Sequence, residues 1–306
     1  MNEYLVSVII PTFNKGQYIR KTVSSVLNQT YSNLEIILVD NCSEQSTKKV
    51  LNGILKLSKK IRLIELKSNL GPSNARNIGI TNSNGKYIFL LDGDDIILKN
   101  KIETQVKFME NNPKTALSLT SYIVYRGNYL SNQFITFRSI KSALNGWHSM
   151  TGYGALVEST GCLNRDYISK NNLFDPNYFG CEGLKFVYEW NARSKVGFIK
   201  APLTIYRISE SQLHLEKHRI LKDMNKLNQE KWLSKPKRYC YKRFQKSYFA
   251  IDNLRAKSGF IEVLNLFKGL NIFTMVLVAL ILKRMVITRI RALVYIRLIQ
   301  DSSDLL

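Results

Sequence analysis

Four short runs rich in Ile, Val and Leu constrain this chain more than any other feature. They are Leu5–Ile10, Leu34–Val39, Ile61–Leu66 and Tyr87–Leu91, and they scarcely alternate with polar residues. A strand that is apolar throughout has to be covered on both faces, as in a parallel sheet. Helix-compatible segments separate the runs: Gly16–Gln29, Ser43–Leu57 and Pro72–Thr81. Ser43 suits an N-cap and Pro72 a first helical position. The order β-α-β-α-β-α-β predicts an α/β fold, doubly wound around a mainly parallel sheet. A helix over Lys99–Asn111 stops before Pro113, and strand-like runs follow at Ala116–Tyr125, Gln133–Phe137 and Gly154–Cys162.

Polar residues crowd the carboxyl end of every run. Pro11-Thr12-Phe13-Asn14 follows the first, Asp40-Asn41 the second, Asn69-Leu70-Gly71 the third and Asp92-Gly93-Asp94-Asp95 the fourth. In open α/β sheets ligands bind outside those strand ends, so one edge is the expected crevice. Asp92, Asp94 and Asp95 repel one another and lose hydration if buried, so a cation should offset them. Mg²⁺ or Mn²⁺ suits oxygen ligands and bridges one or two carboxylates to substrate phosphates. A solvated Asp-rich turn is the plainer alternative. Asp40 has two readings of equal weight: an acceptor for a base N–H or ribose hydroxyl, or a helix cap before Ser43. Arg76 is either a partner for phosphate or carboxylate, or a surface arginine.

Composition narrows the class. Forty-five percent of the 306 residues are hydrophobic, enough for a sizeable core. The formal net charge is +22, which favours polyanionic partners. None of the four cysteines forms a CxxC pair, which disfavours a zinc knuckle or disulfide framework and favours a reducing compartment. The N-terminal run lacks the basic flank and longer apolar core of a secretory leader, so an intracellular location is expected.

The strings VSVIIPTFN (6–14), LEIILVDNCS (34–43), NLGPSNARNIGI (69–80) and YIFLLDGDDI (87–96) together resemble the family 2 glycosyltransferases, whose fold is called GT-A. A fainter likeness continues through GCLNRD (161–166), LFDPNYFGCEG (173–183) and Ile205-Tyr206-Arg207. The resemblance implies a nucleotide-sugar donor, most simply a UDP-sugar, a divalent cation (Mg²⁺ or Mn²⁺) and inversion at the anomeric carbon. By position it places Asp40 at the base, and Pro11, Thr12, Asn14, Asn41, Arg76 and Arg207 near the nucleotide and its phosphates. Asp92 and Asp94 match the DxD motif: Asp94 would ligate the metal, Asp92 would lie by the ribose or the metal, and Asp95 behind them.

Two departures stand out. Asn41 replaces a common second aspartate. The family's Glu-Asp pair reads Glu182-Gly183 here, so glycine holds the position of the usual base. Glu182 is the first candidate to replace it, with Glu189 and Asp175 behind; a relative that binds donor but transfers poorly is the alternative. His148, His214 and His218 have no metal-pair spacing, and Trp147 and Tyr153 would stack on a sugar or pack in a lid or core.

The expected organisation is a catalytic domain over 1–214, with a nucleotide-binding half (1–110) and an acceptor half (111–214). A basic helical extension over 215–306 follows and holds more than half of the excess charge. Its apolar stretch Leu270–Leu282 is too short, at about 1.5 Å per residue, to cross a hydrocarbon core about 30 Å thick. No acidic residue occurs from Val263 to Gln300. An apolar helix with cationic flanks fits an anionic membrane surface, so peripheral association with the inner face of the cell membrane is expected. Packing on the protein or in a homodimer is the alternative. The interleaved basic and aromatic residues of Lys231–Lys246 match no nucleic-acid motif, and nucleic acid is not an expected partner. The expected acceptor is a glycan or lipid-linked hydroxyl of the cell envelope.

Overall fold

The computed structural model describes residues 4–126, 129–135, 158–169, 173–208, 222–223 and 226. The four apolar runs become β1 (Val6–Thr12), β2 (Leu34–Asp40), β3 (Ile61–Glu65) and β4 (Tyr87–Leu90). They pair in parallel in the order β3-β2-β1-β4, with α1 (Gly16–Leu27), α2 (Gln45–Leu55) and α3 (Gly71–Thr81) as crossovers. Burial on both faces follows directly. Val6, Val8, Ile10, Ile36, Leu38, Tyr87 and Phe89 join the apolar layer that includes α1, α2 and α4 (Lys101–Asn111). Their neighbours Ile9, Ile37, Val39, Ile88 and Leu90 join the opposite layer, with α3 and α5 (Glu182–Arg193).

The second half mixes directions. β5 (Ile96–Ile97), β6 (Thr115–Arg126), β7 (Tyr129–Ile135), β8 (Cys162–Asn164) and β9 (Lys195–Ile208) complete a nine-stranded sheet, β3-β2-β1-β4-β8-β6-β9-β5, with β7 on β6. β8 runs antiparallel to both β4 and β6, while β6 and β9 are parallel. The sheet is therefore a mixed one: β3-β2-β1-β4 is parallel throughout, and antiparallel β8 separates it from the parallel pair β6-β9.

Two local expectations change. The run Gly154–Cys162 is not one strand: Glu158–Thr160 forms a 3-10 turn and the strand starts at Cys162. Ser43 is not the cap of α2. Glu44 is, because the Ser43 hydroxyl is already taken by the backbone N–H of Asn14, 2.9 Å away. Pro72 does lie in the first turn of α3.

Residues 136–157, with Trp147, His148 and Tyr153, lie outside the described residues, as do His214, His218 and nearly all of 215–306. The described part of that segment touches the sheet-bearing part of the chain. The buried Asp223 carboxylate accepts the backbone N–H groups of Phe179 (2.6 Å) and Gly180 (2.8 Å), just before α5. Among the described residues no helix is long and apolar enough to cross a membrane.

Candidate active site

The crevice begins where β1 outruns β4. Their pairing ends at Ile9 and Leu90, yet β1 continues through Pro11 to Thr12. Pro11 has no N–H to donate, so it fits where no β4 residue pairs with it. The turn Asp92–Asp95 fills the gap. Gly93 allows its close approach, since a Cβ there would lie 3.1 Å from the Pro11 carbonyl and 3.2 Å from Thr12 Oγ1. Thr12 Oγ1 is itself buried with no hydrogen-bond partner among the described residues.

The polar loops lock to one another. Asn14, at φ 54°, accepts the Glu44 N–H at 2.8 Å. The Asn41 amide donates to Asn69 Oδ1 (2.8 Å) and accepts the Leu70 N–H (2.9 Å). Asp40 is fully buried, and both its oxygens receive the Ser43 N–H, at 3.1 and 3.3 Å. Of the two roles open to Asp40, this geometry displays the turn-holding one. Among the described residues Asn14 and Asn41 likewise act as loop clasps at the strand ends.

Strand register brings Arg207 to the acidic turn. Ile96 pairs with Ile205 in antiparallel β5–β9, so the residues preceding Ile96 meet those following Ile205. Arg207 donates its backbone N–H to Asp95 Oδ1 and its Nε–H to the Asp94 carbonyl, both at 2.9 Å. Its guanidinium lies 4.8 and 5.0 Å from the ring centroids of Tyr18 and Tyr125. Lys15 Nζ meets Asp94 Oδ2 at 2.5 Å. Ser159, in the 3-10 turn, accepts the Asp92 N–H (2.9 Å) and donates to Asp95 Oδ2 (2.5 Å). Asp95, fully buried, is thus held behind the turn. Burial and then its neighbours Asp94 and Asp92 push its pKa up, against the bonds from Ser159 and Arg207.

A second cluster centres on Arg76 of α3. Its two terminal nitrogens donate to Asp92 Oδ1 (2.7 Å) and to Glu182 Oε1 (3.1 Å) at the start of α5. Its guanidinium packs 5.3 Å from the Phe174 ring centroid. Burial opposes the arginine charge, but Asp92, Glu158 and Glu182 outweigh it and hold the group protonated. Burial raises the pKa of Glu182, with Arg76 opposing. Glu158 is pushed up to about 7, by burial first, with Glu182 and Asp92 adding to the effect and Arg76 opposing it. Its carboxylate lies where a side chain at Gly183 would project: a Cβ there would collide with Oε1 and come within 3.0 Å of Cγ.

The structure therefore gathers Pro11, Thr12, Asn14, Asp40, Asn41, Arg76, Asp92, Asp94, Glu182 and Arg207 around the strand ends. It adds Lys15, Glu158 and Ser159, which the sequence reading did not single out. Lys15 had a signal, a cation directly after the β1 polar cluster. Glu158 and Ser159 had none, since they sit in a stretch that reads as strand. Asp175 and Glu189 both pair with Lys185, at 3.2 and 2.6 Å. Among the described residues no three His, Cys, Asp or Glu side chains form a metal cage. Asp92 and Asp94 fit a cation that takes its remaining oxygens from a bound phosphate and water.

The chain is similar to several known proteins. A glycosyltransferase of Haemophilus influenzae is 33% identical over 68% of this chain and 67% of its own length. The Escherichia coli UDP-Glc:alpha-D-GlcNAc-diphosphoundecaprenol beta-1,3-glucosyltransferase WfgD is 28% identical over 72% of this chain and 84% of its own. The chain spans less than half the length of several other relatives, including a glycosyltransferase of Rickettsia felis matched over 28% of its length. Staphylococcus aureus TarS with UDP-GlcNAc shares the fold at a TM-score of 0.62 and 16% identity, over 84% of this chain and 77% of that one. The mannosyltransferase PcManGT of Pyrobaculum calidifontis, solved with GDP-Man and Mn²⁺, shares it at 0.62 and 15%, over 96% and 87%. The glycosyl transferase family 2 model matches residues 7–180, more than half of the chain, and takes in the ends of β1 to β4 with the acidic turn beside them: this protein belongs to that family.

Proposed function

We propose that this protein is an inverting, divalent-cation-dependent glycosyltransferase. It moves a sugar from a nucleoside-diphosphate donor, a UDP-sugar, to a hydroxyl of a lipid-linked or other envelope glycan. The observation that carries the reading is the turn Asp92–Asp95, seated between the ends of β1 and β4 and flanked by Lys15, Arg76 and Arg207. Two carboxylates cannot hold a divalent cation alone but can share one with a diphosphate, which the three cations also attract. The names of WfgD, TarS and PcManGT, with the UDP-GlcNAc, GDP-Man and Mn²⁺ of the two solved complexes, support the donor class and the metal.

In this reading Asp94 and Asp92 hold Mg²⁺ or Mn²⁺. When bound, the cation offsets the negative charge that grows on the leaving diphosphate. Arg207 and Lys15 line the same side. Lys15 exchanges Asp94 for phosphate when the donor arrives. Thr12 Oγ1, unpartnered and buried, awaits a donor contact, and Asp40 and Asn41 set the shape of the base pocket. The acceptor hydroxyl gives up its proton to a carboxylate of the Arg76 cluster, where Glu182 is the candidate from sequence. The basic extension places the enzyme on the cytoplasmic face of an anionic membrane.

Titration calorimetry with UDP-Glc, UDP-GlcNAc and GDP-Man, with and without Mn²⁺, tests the assignment. One donor should bind, more tightly with Mn²⁺, and Asp94→Ala should remove the Mn²⁺ dependence. Metal-independent binding, or the same Mn²⁺ dependence in Asp94→Ala, would reject the metal assignment. Gly183 favours a second reading, donor binding without transfer; turnover of any donor by the wild-type protein excludes it.

A further inference from the structure

We infer that Glu158, and not Glu182, takes the proton from the acceptor hydroxyl, reaching the site through the space left by the missing side chain of Gly183. The inference rests on the glycosyltransferase reading above and names the group that serves it. Three carboxylates surround Arg76 and they differ in what they are bound to. Asp92 and Glu182 each spend an oxygen on a direct bond to the guanidinium. Glu158 is held by no such bond; it feels Arg76 only through space. An oxygen committed to a buried arginine is a poor proton acceptor, whereas Glu158, which takes a bond only from its own backbone N–H, keeps lone pairs available.

Position supports the same assignment. Gly183 follows Glu182 in the first turn of α5, beside the Arg76 cluster. Any side chain there would overlap the Glu158 carboxylate, with a Cβ 3.0 Å from Cγ and closer still to Oε1. A carboxylate supplied by the chain at 158 thus occupies the volume that one at 183 would have filled. Glu158 is also fixed to the acidic turn by its neighbour: Ser159 bonds both the Asp92 N–H and the Asp95 carboxylate. Glu158 as a residue is only partly buried, while its carboxylate is enclosed enough, against the start of α5, for burial to raise its pKa. Glu182 becomes the positioning residue that keeps Arg76 between the two acidic groups.

The step balances without a further reactant. The acceptor O–H proton passes to the Glu158 carboxylate as the oxygen bonds the anomeric carbon. The bond from that carbon to the diphosphate breaks, and its electron pair leaves with the nucleoside diphosphate.

The test uses the full chain with donor hydrolysis, water serving as the acceptor, beside calorimetric donor binding. Glu158→Gln should lower turnover by about 100-fold or more, the range expected of a lost general base, with donor affinity within about twofold of wild type. The double variant Glu158→Ala with Gly183→Asp moves the carboxylate to the other backbone position in the same space. It should recover at least about tenfold over Glu158→Ala alone, a rescue that a merely structural role would not give. Glu158→Gln turnover within about threefold of wild type would overturn the assignment, as would equal loss of donor binding and turnover with no rescue. Donor binding by the wild-type protein is scored separately: its absence fails the glycosyltransferase reading, whereas its presence with a fully active Glu158→Gln fails only the assignment of Glu158.

Discussion

Arg76 sits among groups that would otherwise repel one another. Asp92, Glu158 and Glu182 converge from a strand-end turn, a 3-10 turn and a helix start, and a single guanidinium lies between them. The planar fork lets it bond two of them at once, which a lysine ammonium on a flexible stem does not reproduce. Removing one partner of a buried ion pair costs more than the pair contributes, because it strands the others. Arg76→Met should therefore lower stability by about 3–5 kcal/mol in urea unfolding, with Arg76→Lys recovering only part of it. A loss below about 1 kcal/mol would mean that water already screens the three carboxylates. Asp92, Asp94 and Arg76 were legible in the sequence because they sit in short strings that follow buried strands. Glu158 was not, because nothing near it in the chain says that a glycine lies opposite.

At the scale of elements, the least expected group is Lys101, the first residue of α4 and fully buried. A cation at a helix N-terminus opposes the dipole, and burial lowers its pKa to about 7. Its Nζ donates to Gln105 Oε1 and, at 3.2 Å, to the Thr160 carbonyl, so it ties α4 to the 3-10 turn that carries Glu158 and Ser159. The sign of the pH effect follows from proton counting. Between about pH 7 and the ordinary lysine value the unfolded chain holds a proton that the native chain has lost, so stability rises with pH across that window. Thermal melts should show wild type gaining stability relative to Lys101→Met from pH 7 to pH 9. A difference that stays constant over that interval would place the native pKa above it. The elements themselves followed their local signals wherever apolar runs were bounded by turn residues. β8 and the Glu158–Thr160 turn did not, since three-residue pieces are defined by the strands and side chains they meet, not by their own pattern.

For the whole molecule, charge and sheet topology carry different information. More than half of the excess of +22 falls after residue 214, in a segment whose described part already bonds the backbone before α5 through Asp223. If the remainder meets an anionic membrane, the full chain should sediment with phosphatidylglycerol vesicles at low salt, release at high salt, and ignore phosphatidylcholine vesicles. Binding to neither vesicle type would instead favour packing on the protein or between copies, and equal binding to both would mean an apolar rather than an electrostatic membrane contact. The sequence by itself determined the buried parallel strands, the crossover helices between them and an acidic turn at their carboxyl ends. Those features are written in contiguous stretches, where apolar runs and turn residues act through local burial and backbone preference. Only the tertiary structure decided which cation meets which carboxylate. Arg207 reaches Asp95 from 112 positions away through the β5–β9 register, and Glu158 reaches over Gly183 because two separate turns converge. Such encounters depend on how strands align across the sheet, and no local stretch of residues encodes that alignment.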